Sequence, residues 1–268
     1  MEDLAQPQND IIIYYIFRKW GERILTYPEK INIYSLSVEV TENCNMLCPH
    51  CLRGDARDKD IDIDKFNIFL SRIESIDKLV ITGGEPLLRP EGIKNIINSL
   101  RKHCIDCDTI SMITNGTHNK EIPEILDCCN DFAYTYMIFS NDMYHQMNPE
   151  LASKLTKTHY VYPLVTDSGE HGLINIGRAK NLSCDRKVER TITKVKYNEA
   201  YNGVTNAIIS FTCDGDIILG TCNYEYDEIE TLRTTNVSEP NWYEMMMKEI
   251  IGWIIIYRSI KKYFDKGE

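Results

Sequence analysis

Apolar positions along the chain switch repeatedly between the two-residue period of a strand and the 3.6-residue period of a helix. Ile33, Leu36, Val38 and Val40 mark a strand over Tyr34–Val40, and Lys65–Ile76 has the spacing of a helix. Lys78–Thr82 is a short β-branched strand stopped by Gly83-Gly84. Gly92–His103 follows as a helix with Ile93, Ile96, Ile97 and Leu100 on one face. Then come a strand at Thr109–Thr114, a helix at Ile122–Cys129 and a strand at Phe132–Phe139. Beyond these the pattern predicts a short helix at Leu151–Leu155, a strand at Tyr160–Val165, and a hairpin of Ala207–Thr212 with Asp216–Leu219 around Asp214-Gly215. Two further helices bracket the chain. Ile11–Leu25 is capped by Asn9 or Asp10, and Trp242–Phe264 carries Tyr243, Met246, Ile250, Trp253, Tyr257, Ile260 and Phe264 in one stripe.

Strands alternating with helices call for parallel βαβ units, an α/β fold, in which reactive groups gather at the C-terminal ends of the strands. Four segments follow successive strands here: Cys44-x3-Cys48-x2-Cys51, Gly83-Gly84-Glu85-Pro86, Thr114-Asn115-Gly116 and Ser140-Asn141-Asp142. All four are expected on one rim. No linker, low-complexity tract or repeat divides the chain. The expected organisation is an N-terminal helical extension (1–32), a core (33–200), and a small α+β extension of hairpin plus long helix (201–268).

Composition narrows the function. The chain of 268 residues carries a formal net charge of −10, which argues against a general binder of nucleic-acid backbone. Its longest apolar runs, Ile11–Phe17 and Ile250–Tyr257, fall short of the roughly 20 residues of a membrane span. Met1 is followed by Glu2 and Asp3 rather than by a basic, then apolar, leader, so a cytoplasmic protein with no membrane span is expected. Ten cysteines in a reducing compartment more often hold metal or do chemistry than pair as disulfides.

Three of those cysteines lie within eight residues, Cys44-Asn45-Met46-Leu47-Cys48-Pro49-His50-Cys51. Soft thiolates at this density suit an iron–sulfur cluster or zinc. Zinc would take His50 as its nearest fourth ligand, whereas three thiolates alone leave one iron of a cluster open to an external ligand.

The Cys-x3-Cys-x2-Cys segment after a first strand, with Gly-Gly-Glu-Pro after a second, resembles the radical S-adenosylmethionine (SAM) enzymes over about residues 33 to 180. The resemblance implies a partial (β/α)6 barrel, with a [4Fe–4S] cluster on Cys44, Cys48 and Cys51 and SAM on its fourth iron. It also implies reductive cleavage to a 5′-deoxyadenosyl radical, an electron donor such as flavodoxin or ferredoxin, and a peptide or small-molecule substrate. His50 matches an aromatic position near adenine. Gly83, Gly84, Glu85 and Pro86 match the loop around the methionine end, while Ser140, Thr114 and Asn115 match carboxylate- or ribose-side contacts.

Other features carry plainer readings. Cys104-x2-Cys107 and Cys128-Cys129 read as buried or idle thiols. Cys184, Cys213 and Cys222, following Gly177-Arg178-Ala179, resemble a shortened extension that binds a second iron–sulfur cluster, with His171 or Cys104/Cys107 as candidates for the missing fourth ligand. The hairpin is expected to bring Cys213 and Cys222 to one end. The cationic run Arg178–Lys196 reads as a solvated loop or as a seat for an acidic peptide or nucleotide. The C-terminal stripe reads as a helix packed on the barrel.

Overall fold

A computed structural model of the chain describes residues 27–118, 120–141, 161–165, 173–174, 176–182, 187–188 and 207–264. The helices expected at 11–25 and 151–155, Asp142, His171, Cys184 and most of the cationic run lie outside these residues.

The strands, in chain order, are β1 (Ile31–Glu39), β2 (Ile73–Thr82), β3 (Asp106–Thr114), β4 (Tyr134–Asn141), β5 (Val161–Val165), β6 (Leu173–Ile174), β7 (Lys187–Val188), β8 (Ile208–Phe211), β9 (Asp216–Leu219) and β10 (Thr235–Asn236). The helices are α1 (Ile63–Leu70), α2 (Pro90–Lys102), α3 (Ile122–Asn130), α4 (Ile229–Leu232) and α5 (Trp242–Phe264). One sheet runs β10-β9-β8-β1-β2-β3-β4-β5. Within it β1 to β5 are successive parallel neighbours, and β8 pairs parallel to β1 from the other side. β9 and β10 close that edge in antiparallel fashion. The C-terminal hairpin therefore continues the sheet of the core. The fold is α/β, and β6 pairs with β7 in a separate two-stranded sheet.

Burial on both faces explains why these strands read as apolar runs rather than as clean alternations. Ile33, Leu36 and Val38 of β1, Leu79 and Ile81 of β2, and Ile110 and Met112 of β3 are all fully buried. α1 starts at Asp62, whose side chain accepts from the Lys65 N–H, and it buries Phe66, Phe69 and Leu70. Phe211 of β8 meets both Phe66 and Phe69 at ring-centroid distances of 5.2 Å, and Trp242 meets Phe69 at 6.0 Å. That aromatic set seats the hairpin and the start of α5 on α1.

Two boundaries differ from the sequence expectation. The helix expected over Lys65–Ile76 ends at Leu70, and Ile73–Ile76 belong to β2, paired with Ile31–Ile33 of β1. Pairing with a long neighbouring strand wins there over a helical spacing that Ile73 and Ile76 satisfy equally well. β3 likewise starts at Asp106, because Ser75 and Ile76 of β2 supply partners for the acidic residues before Thr109.

Candidate functional site

The first three segments follow β1, β2 and β3, and Ser140-Asn141 form the end of β4, as the alternation of elements requires. After β1 the chain runs out through the cysteines and returns at Asp60, which bridges back to Thr41. The Glu42 N–H donates to the Lys59 carbonyl (2.8 Å), and the Ile61 N–H donates to that of Val40 (2.9 Å). The Thr41 hydroxyl donates to Asp60 Oδ1 (2.7 Å). The base of the cysteine loop is thus a short antiparallel ladder, and the excursion carries three free thiols, Cys48 buried and Cys44 and Cys51 half-buried. Burial chiefly pushes the Cys44 thiol above its ordinary range. His50 is half-buried between the second and third cysteines.

The second segment continues the β1–β2 pairing into the loops. The Gly84 N–H donates to the Thr41 carbonyl (2.7 Å), and the Glu85 N–H donates to that of Asn43 (2.8 Å). A Cβ on Gly84 would stand 2.1 Å from the Asn43 carbonyl oxygen, and one on Gly83, at φ +147°, would stand 2.3 Å from that of Thr41. The glycines make room for the root of the cysteine loop.

Glu85 is fully buried with both oxygens engaged. Oε1 accepts from the Leu87 N–H (3.0 Å) and the Thr114 hydroxyl (2.7 Å), while Oε2 accepts from the Asn115 N–H (2.7 Å). Burial raises its pKa, and these three donors oppose the rise. The Glu85 and Thr114 side chains form a bracket between the ends of β2 and β3. Pro86 opens the single 3-10 turn after Glu85. The Asn115 side chain points the other way and donates to Asn45 Oδ1 (3.1 Å), and Asn45 Nδ2 donates to the Thr117 hydroxyl (2.7 Å). Ser140, half-buried, sits in the last turn of pairing between β4 and β5, opposite Leu164.

From the C-terminal third, Gly177-Arg178-Ala179 folds onto the cysteine loop. The Arg178 N–H donates to the Cys51 carbonyl (3.0 Å), and its Nε donates to the Cys48 carbonyl (2.9 Å). Gly177 has φ +58°, and a Cβ there would lie 2.3 Å from the Cys51 oxygen. A second fastening lies just past the cysteines. The buried Arg53 guanidinium pairs with Glu39 Oε1 (3.1 Å) and stacks 4.1 Å from the Tyr224 ring centroid and 5.7 Å from that of Tyr226. The Tyr226 N–H donates to the Arg53 carbonyl (3.1 Å). Sequence reasoning missed Arg53, Glu39, Tyr224, Tyr226, Asn45 and Thr117. The signal available was a lone arginine two residues past a metal-binding loop.

The remaining cysteines separate. Cys129 is buried in α3, and burial pushes its thiol and that of Cys107 up to about 12, as inert thiols require. The hairpin does not bring Cys213 and Cys222 to one end. The register Phe211↔Ile217 leaves Cys213 in the turn, whereas Cys222 follows the opposite end of β9 and packs with Ile218, Tyr224, Tyr226 and Ile229. The length of β9 separates the two, since Cys213 precedes that strand and Cys222 follows it.

The donor set fits an iron–sulfur cluster. Three soft thiolates share one loop that is fixed at its root, at two of its carbonyls and by Arg53, and no fourth cysteine lies in the loop. The fold and site define an α/β protein with a three-cysteine loop at the C-terminal rim of its sheet.

Comparison with known proteins agrees. Residues 36–140 match the family described as a 4Fe-4S single cluster domain. The GTP 3′,8-cyclase of Peptoclostridium acidaminophilum is 34% identical over 97 residues, which cover 34% of this chain and 29% of that protein. The probable GTP 3′,8-cyclase of Methanocaldococcus jannaschii is 32% identical over 130 residues, 47% of this chain and 41% of that one. The chain thus spans well under half the length of these relatives. Among solved structures, "Native anSMEcpe with bound AdoMet and Cp18Cys peptide" is 13% identical with a TM-score of 0.49, covering 81% of this chain and 80% of that one. The matched span, residues 36–140, contains the cysteine loop, the Gly-Gly-Glu-Pro turn and the Thr114-Asn115 turn. Among the described residues no helix is long and apolar enough to cross a membrane.

Proposed function

We propose that the protein is a radical SAM enzyme that abstracts a hydrogen atom from its substrate, with Cys44, Cys48 and Cys51 as the ligands of its cluster. The observation that carries this reading is the convergence of the cysteine loop, the Gly-Gly-Glu-Pro turn and the Thr114-Asn115 turn on one rim, locked together by Glu85 and Asn45. Bound there and reduced by a donor such as flavodoxin or ferredoxin, the cluster and SAM supply a 5′-deoxyadenosyl radical. The chain's own residues hold the geometry. Arg178 and Arg53 fix the loop that carries the thiolates. Gly83 and Gly84 let the second loop lie against its root. His50 borders adenine, and the loop carbonyls around Glu85–Pro86, with Asn115 and Ser140, meet the polar end and ribose of SAM. The enzyme works in the cytoplasm.

The substrate is a peptide or protein side chain, because Gly177-Arg178-Ala179 and the trailing cysteine-bearing hairpin follow the core as they do in peptide-modifying members of the family. The relatives named GTP 3′,8-cyclases favour a second reading, a nucleotide. Anaerobic assays with SAM and dithionite test both levels. 5′-Deoxyadenosine should form with the wild type and not with Cys44→Ala, and its formation in that variant would overturn the proposal. A burst on adding GTP but not on adding peptide libraries would select the nucleotide reading.

A further inference from the structure

Beneath the cysteine loop, three metal-ligating side chains meet that the reading above leaves unused. Glu39 ends β1, Glu42 follows three residues on, and Cys213 lies two residues past β8. The parallel register Val38↔Phe211 brings the three together. One oxygen of each carboxylate and the Cys213 Sγ all lie within 4.8 Å of one another. Each residue is only 1% exposed.

A second observation points to a ligand. Glu39 Oε2 and Glu42 Oε2 are buried without a hydrogen bond, and Glu39 Oε1 has the Arg53 ion pair alone, which is costly unless something else satisfies the carboxylates.

We propose that Glu39, Glu42 and Cys213 form a second metal site, for one borderline divalent cation of the Zn²⁺ or Fe²⁺ class. A thiolate with two carboxylates is a donor set such ions accept, with metal–sulfur bonds of about 2.3 Å and metal–oxygen bonds of about 2.1 Å. Shifts of about 1 Å close the observed spread onto one ion.

The surrounding cations act as the outer shell that orients ligating carboxylates. Arg53 stands 3.1 Å from Glu39 Oε1, while Arg57 and Lys59 each stand 3.8 Å from a Glu42 oxygen. Arg57 and Lys59 lie closer to Asp227 and Asp214, respectively, so they leave Glu42 underneutralised. Four carboxylates face three cations there, a balance of 3 − 4 = −1 that a divalent ion offsets. On binding, the Cys213 S–H bond breaks, a metal–sulfur bond forms and the proton leaves to solvent.

The test uses the full-length, cluster-loaded protein titrated with Zn²⁺ by calorimetry, followed by desalting and elemental analysis. The wild type should retain about one zinc beyond its cluster and release about one proton per ion, read from the dependence of the heat on buffer. Cys213→Ser and Glu42→Gln should each weaken the affinity by more than about tenfold. The Cys44/Cys48/Cys51→Ala variant should keep the zinc, which separates this site from the cysteine loop. The proposal is overturned if the wild type retains no zinc, if the triple variant loses it, or if both single variants bind as tightly as the wild type. Should Cys213→Ser not fold, Glu42→Gln alone decides the matter. Failure here would leave the radical SAM reading intact, because neither rests on the other.

Discussion

Glu85 shows how a motif residue can serve the site from inside. Its carboxylate is fully buried and ties Leu87, Thr114 and Asn115 together. Glu85→Ala leaves three donors without that acceptor, so a loss of about 2–4 kcal/mol is expected, measured by urea unfolding of the apo chain. Its pKa is raised by burial, so the folded state holds its proton more tightly than the unfolded chain does. The stability this contributes is complete below the unfolded value, near pH 4.5, and is lost as pH rises through the folded value. Urea midpoints of the wild type should show that loss with rising pH, and those of Glu85→Gln should lack it. Arg53 is the counterpart on the other side of the loop. Arg53→Met leaves Glu39 buried without its close cation, a cost of about 3–5 kcal/mol. An unchanged unfolding midpoint would show that Arg53 does not hold this region. The cysteine spacing and Gly-Gly-Glu-Pro are legible as chemistry in the amino-acid sequence alone. The bracket and the Arg53 fastening are not, because Arg53 meets Tyr224 across 171 positions of sequence and nothing local marks the pair.

At the scale of elements, the order of strands and helices is readable from the sequence and their ends are not. Helix and strand spacings both fit Ile73–Ile76, and only the presence of β1 alongside decides for β2. The same dependence on partners applies to the loops. Gly84 and Gly177 are glycines because other backbone passes where their side chains would be. Gly177→Ala should loosen the cysteine loop and lower iron retained after desalting, while far-UV circular dichroism stays unchanged. Gly84→Val should lower both iron retention and SAM affinity, since the Asn43 carbonyl must move. Unchanged iron content in both variants would mean that these contacts do not hold the loop. The aromatic junction of α1, β8 and α5 is purely structural. Phe211→Ala there should cost about 3–5 kcal/mol in unfolding free energy with no specific effect on the cluster.

Over the whole molecule, a parallel sheet gathers three loops and the end of β4 on one rim, and the C-terminal third returns to fasten the loop that holds the thiols. Residues 177–179 and 224–226 do this from outside the span 36–140 that matches the cluster domain. The extension thus fastens the cysteine loop as well as completing the sheet. Separate surroundings for Cys213 and Cys222 argue against a second cluster shared by these two cysteines. Iron and sulfide analysis of the anaerobically reconstituted protein tests this account most directly. The wild type should hold about four irons and four sulfides per chain, and the Cys44/Cys48/Cys51→Ala variant essentially no cluster. About eight irons in the wild type, or about four retained by the triple variant, would contradict it.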